Sequence, residues 1–195
     1  MTRVCLVGAG DVNLRYELLS RETARDALAT YDLREPFENA VGLETMSLGA
    51  AVALLNDLNW YLVRFVDEAM VLEPSVSETE WLSRDLAVAI RDDDVGHDGA
   101  ARFLKIYGLE TPDLERSDSA DGDERSEAAR TETGEPETAR PSSADAEPDD
   151  HETDGPRRLV EPMYVTRTGD DIPEYDLRDV DETLIERVTE SEFGA

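Results

Sequence analysis

The 46 residues from 111 to 156 constrain the fold of this chain more than any other stretch. They hold 16 acids, four arginines, no aromatic residue and a single large apolar side chain, Leu114. Such a segment cannot bury enough apolar surface to offset the cost of ordering its backbone, about 1–2 kcal/mol per residue. It reads as a disordered acidic linker. Structureless loops longer than about 15 residues are uncommon inside compact domains, so it also reads as an insertion. The folded core must then come from residues 1–110 and 157–195. The second piece is too short for a core of its own. Its apolar runs, Leu159-Val160, Met163-Tyr164-Val165 and Leu184-Ile185 with Val188, are β-prone. They are expected to supply C-terminal strands that complete the domain begun by residues 1–110. Loop-closure entropy grows only logarithmically with length, so the long linker is tolerable.

Within the first piece, residues 2–8 predict a buried strand ended by Gly8. Ala24, Ala27, Leu28 and Tyr31 recur at i, i+3, i+4 and i+7, which predicts an amphipathic helix over 21–31 with Ser20 as its cap. A short strand is expected over 41–46, then a helix capped by Ser47 and running to residue 58. The β-rich runs 60–66 and 69–72 flank Asp67-Glu68 and predict a hairpin. Ser77-Glu78-Thr79-Glu80 has the form of a capping box, with Trp81, Leu82, Leu86, Ala89 and Ile90 as the buried stripe of the helix that follows. A second short helix is expected around 98–107. Hairpins combined with helices predict an α+β fold: a single domain with a mixed or mainly antiparallel sheet and helices packed on one face.

Charge speaks of the solvent. The chain has 47 acids against 19 bases, a net −28, and 18 of those bases are arginine; Lys105 is the only lysine. Such a charge destabilises a compact state by self-repulsion. Screening relieves it, since the Debye length falls from about 8 Å at 0.15 M salt to about 3 Å at 1 M. The composition therefore predicts a halophilic protein of a salt-rich cytoplasm. The longest apolar run, Leu48–Leu55, is far below the roughly 20 residues of a membrane span, and no secretory signal is evident. Cys5 lies between Val4 and Leu6 and reads as a buried structural thiol. Nucleic acid is not an expected partner, because no basic stripe exists and Arg157-Arg158 is the only adjacent basic pair.

Candidate chemistry is sparse. Gly8-Ala9-Gly10 follows a strand, and Gly8, Gly10, Asp11 and Asn13 form the one loop with the outline of a nucleotide site. The dinucleotide fingerprint wants a third glycine where Asn13 stands. Asp32, the candidate ribose acid, follows a helical pattern. Asp92-Asp93-Asp94 with His97-Asp98 suggests a cation loop, but an EF-hand spacing would place Phe103 or Lys105 where a bidentate glutamate is required. His97 and His151 have no visible serine or cysteine partner, so a nucleophilic triad finds no support. Asp170-Asp171 near Tyr175 and Asp176 offers carboxylates that nothing singles out. Trp60 and Trp81 stand where a core needs bulk. Tyr31–Glu35 echoes Tyr175–Asp179. No catalytic residue, metal site or cofactor is indicated.

The strings Leu58-Asn59-Trp60-Tyr61-Leu62-Val63-Arg64-Phe65-Val66-Asp67-Glu68, Glu78-Thr79-Glu80-Trp81-Leu82-Ser83-Arg84 and Glu161-Pro162-Met163-Tyr164-Val165-Thr166 give the chain a recognisable character. It resembles a haloarchaeal domain-of-unknown-function family over residues 1–109 and 158–195. The resemblance implies a salt-rich habitat and a domain in two pieces, and it carries over no activity. The expectation is a non-enzymatic cytoplasmic domain that binds a protein partner or a small ligand, through the exposed face of the 60–72 segment or an edge strand at 158–167. The alternative is a nucleotide-binding protein or enzyme using the Gly8–Asn13 loop.

Overall fold

The computed structural model describes residues 1–96, 99–111, 156–168, 180 and 182–194. The acidic stretch 112–155, and with it the expected disorder, lies outside the described residues. One compact unit contains Met1–Pro112 and Gly155–Ala195.

The chain runs β1 (Thr2–Gly8), α1 (Leu14–Leu19), α2 (Glu22–Leu28), β2 (Ala40–Thr45), α3 (Leu48–Asp57), α4 (Asn59–Phe65), β3 (Val66–Leu72), β4 (Trp81–Ser83), α5 (Arg84–Arg91), a 3-10 turn (Gly99–Ala101), β5 (Phe103–Glu110), β6 (Arg158–Thr166), β7 (Glu182–Val188) and α6 (Glu190–Phe193). The fold is α+β. Among the described residues, seven strands form one sheet in the order β2-β1-β3-β4-β7-β5-β6. Every pairing is antiparallel except β4 with β7.

Strand alternation assigns the two faces. Val4 and Leu6 of β1, Val71 of β3 and Leu82 of β4 pack with Leu14, Leu18, Leu28, Leu55, Leu62 and Leu86 from the helices. Cys5, Met70 and Ala40 turn the other way and meet Tyr107, Leu109 and Leu184. That second cluster contains no helical residue, and it joins strands that are not neighbours in the sheet. The sheet therefore curls over this second face. A backbone bond closes the curl: Glu38 N, before β2 at one edge, donates to Arg157 O, before β6 at the other, at 2.8 Å.

Several expectations need correction. Residues 60–65 are helix, so there is no hairpin at 60–72. Their aromatic and β-branched side chains suggested strand, but Leu58, Leu62 and Phe65 recur at helical spacing and all three are buried. Only β3 is extended. The capping box forms by half. Ser77 Oγ accepts the Glu80 amide at 3.0 Å, but Glu80 turns to Arg167 and Arg187, and the chain enters β4. The helix starts after Ser83, whose Oγ accepts from Leu86 N at 3.2 Å. Trp81 and Leu82 are thus strand residues. Of the helix expected at 98–107, the described residues form a 3-10 turn followed by β5, where Leu104 and Ile106 are buried. The helix expected over 21–31 is α2, which spans only Glu22–Leu28, and Ser20 does not cap it but ends the separate α1.

Candidate functional site

The Gly8–Asn13 loop is built around one residue, Asn39. Its backbone sits at φ 55°, a left-handed conformation that asparagine tolerates. Its carbonyl accepts Gly8 N at 2.9 Å. Its side-chain oxygen accepts Leu14 N at 3.0 Å, and its Nδ2 donates to Ala9 O at 3.2 Å and Val12 O at 2.8 Å. A cavity of about 430 Å³ opens beside it, lined in part by Gly10, Asp11, Asn13, Arg15, Glu35 and Asn39. No residue of β6 or β7 lines it.

The geometry gives these residues local work. Asn13 caps α1 by accepting from Tyr16 N at 2.9 Å. Ala9 N is bound to Phe65 O and Val12 N to Ala9 O. A phosphate loop needs free amides pointing at its ligand. Here the amides of Gly8, Ala9, Val12 and Leu14 are taken within the fold, and Asp11 and Glu35 add negative charge.

A second site lies inside the curl. Glu68 of β3 accepts from both Lys105 Nζ and Tyr107 Oη of β5. Opposite Lys105 in the β5–β7 register stands Glu186 of β7, wholly buried, with neither carboxyl oxygen meeting a donor among the described residues. Two carboxyl groups in contact can bond only through a proton on one of them, and burial favours the neutral form. Burial first, then the charge of Glu68, push the Glu186 pKa well above the ordinary carboxylate value. Burial and then Glu186 push the Cys5 thiol up to about 12, so it is a packing thiol. Burial and the Glu68 charge also raise the Tyr107 hydroxyl. Burial works against the Lys105 ammonium, but its bond to Glu68 and the Glu68 charge prevail and raise its pKa.

A third feature is on the surface. Trp60 of α4 is 55% exposed, against the core role expected of it. The Arg21 and Arg64 guanidinium carbons lie 5.8 and 5.6 Å from its ring centre. Tyr16 of α1 and Val63 of α4 are also exposed. A shallow apolar hollow beside Tyr16 is bordered by Arg15 and Leu19.

Sequence comparison places these features in a family. The model of a family of unknown function, DUF5804, matches residues 2–109. The chain belongs to this family. No curated protein and no solved structure matches it. The DUF5804 match spans β1 to β5, so it includes Cys5, Glu68, Lys105 and Tyr107 of the inner cluster and Trp60 of the surface, whereas Glu186 lies beyond it.

The remaining candidates are dispersed. Asp92 pairs with Arg91 at the end of α5 through a 2.8 Å contact, and Asp93 takes a left-handed φ of 62°. No group of three potential metal ligands forms among the described residues. His97, Asp98, His151, Asp170, Asp171 and the second copy of the Tyr31–Glu35 echo lie outside the described residues. No helix among those described is long and apolar enough to cross a membrane. The inner cluster went unrecognised in the sequence, although one signal for it was present: the only lysine of an arginine-rich chain sits in it.

Proposed function

We propose that this DUF5804 chain is a non-enzymatic binding domain of a salt-rich cytoplasm. Its partner is an acidic protein segment with an apolar anchor, seated on the face shared by α1 and α4. The exposure of Trp60 between two arginines carries this reading. Interfaces draw their energy mainly from tryptophan, tyrosine and arginine; Arg21 and Arg64 flank Trp60, and Arg15 and Tyr16 line the hollow on α1. In a chain of net −28, Arg64 offers charge complementarity to an acidic partner, as does Arg21 by exchanging its 3.0 Å pairing with Glu17. The Gly8–Asn13 loop gains no second reading, because the amides of Gly8, Ala9 and Val12 are bonded within the fold and Asp11 and Glu35 set negative charge at its mouth.

The test is affinity capture from lysate in molar KCl with the wild type, Trp60→Ala and a control, Arg91→Ala, followed by titration of the identified partner. An acidic partner held by the wild type and the control is expected to lose about 30-fold in affinity with Trp60→Ala, the scale of a 2 kcal/mol hot spot. A partner that binds all three equally, or no reproducible partner, would overturn the proposal.

A further inference from the structure

We propose that Glu68 and Glu186 hold one proton between their carboxyl groups, and that this proton latches β3 to the β7–β5 half of the curled sheet.

The sheet is weakly joined at its middle. β4 has three residues and pairs with each neighbour through two: Met70↔Ser83 and Val71↔Leu82 on one side, Trp81↔Glu186 and Leu82↔Arg187 on the other. Beyond them, no strand among the described residues lies between β3 and β7. Glu68, two residues before Met70, lies beyond the last of these pairings. From there it reaches Lys105 and Tyr107 on β5.

The charges close only with a proton. Glu186 is faced by Glu68 from β3, Lys105 and Tyr107 from β5, Glu192 from α6 and, across the curl, Cys5 from β1. Tyr164 of β6 stands near Lys105 and Tyr107. Among these groups the only cation is Lys105, and it is bound to Glu68. Tyr107 spends its hydrogen on the same carboxylate. Glu192 is engaged elsewhere: its Oε2 accepts from Ser83 Oγ at 2.8 Å and from Thr189 N at 2.7 Å. A carboxylate at Glu186 would be buried with no donor among the described residues, beside a second carboxylate. A carboxylic acid there donates to Glu68. Deprotonation thus removes a bond and places two like charges across the seam.

Cys5 reports on this directly. It is the only cysteine, fully buried, and lies under the seam next to Glu186. The experiment follows alkylation of Cys5 by a neutral thiol reagent from pH 6 to pH 9. Each native rate is divided into the rate of the unfolded chain at the same pH, which cancels thiolate formation in the unfolded reference. Protection of the wild type is expected to fall at least about tenfold over that range, the consequence of one unit of proton linkage. Glu186→Gln donates an amide hydrogen to Glu68 without titrating, so its protection should stay level. Parallel curves for the two proteins would overturn the latch. A second measurement uses the wild type alone: an infrared carbonyl band of a protonated carboxylic acid at pH 7. Its absence would overturn the shared proton even if Glu186→Gln failed to fold.

Discussion

Asn39 occupies the space into which a side chain on Gly8 would grow. A Cβ built on Gly8 would lie 2.6 Å from Asn39 Nδ2 and 2.7 Å from Leu14 Cβ. Gly8 therefore serves the close approach of β1 to the asparagine that organises the following loop. The same glycine that suggested a ligand in the sequence is explained by packing.

This separates two glycines of the loop. Gly8→Ala is expected to destabilise by about 1–3 kcal/mol, the cost of overpacking a filled site. A Cβ on Gly10 would meet nothing within 4 Å, and its backbone is not left-handed. Gly10→Ala should be neutral or stabilising by up to about 1 kcal/mol, through the unfolded chain. Urea unfolding of both variants decides. Equal losses would return Gly10 to the list of constrained residues.

The inner cluster makes Lys105 hard to replace. Its side chain is 14% exposed and that of Glu68 18%. Lys105→Met leaves Glu68 without its cation and should cost about 3 kcal/mol, as when one partner of a buried pair is removed. Adding Glu68→Gln removes the stranded charge, so the double variant should be more stable than Lys105→Met alone. A double-mutant cycle measures the coupling. Additive losses would mean that the pair is not coupled.

Regular elements with one clean signal were legible in the sequence. β1, β2 and the Ser47-capped α3 depend on local apolar pattern and a cap, and both lie within a few residues. The misread segments are those where distant partners decide. Trp60–Phe65 has strand-like composition, but Leu62 and Phe65 face the helical core. Ser77–Glu80 has a capping signature, but Glu80 is held by arginines 87 and 107 residues further on. The inner cluster is illegible for the same reason. Glu68, Lys105 and Glu186 converge only when the sheet curls, and nothing local marks Glu186 among 47 acids.

The acidic surface predicts a response to salt. Screening weakens repulsion among exposed carboxylates much more than it weakens buried pairs. The melting temperature should rise by more than about 5 °C between 0.1 M and 3 M KCl, equivalent to roughly 1–2 kcal/mol for an ordered region of this size. Thermal unfolding across a KCl series checks it. A flat or falling curve would contradict the proposal that this composition is suited to high salt.

Glu80 predicts the acid limb of stability. Its Oε1 accepts from Arg167 Nη2 and its Oε2 from Arg187 Nε, both at 2.5 Å, and all three side chains are at most 12% exposed. Burial would raise its pKa, but the bonds and charges of Arg187 and Arg167 prevail and lower it. A carboxylate whose folded pKa lies below its unfolded value stabilises the fold above the unfolded value, and that contribution is lost as pH falls through the folded one. Glu80→Gln should therefore cost about 2 kcal/mol at pH 7, the scale of a charge-assisted hydrogen bond. The gap between the two proteins should narrow steadily as pH drops below the ordinary glutamate range. Urea unfolding at pH 7 and at successively lower pH measures it. A gap that stays constant on acidification would show that the Glu80 charge contributes nothing to holding β4 against β7.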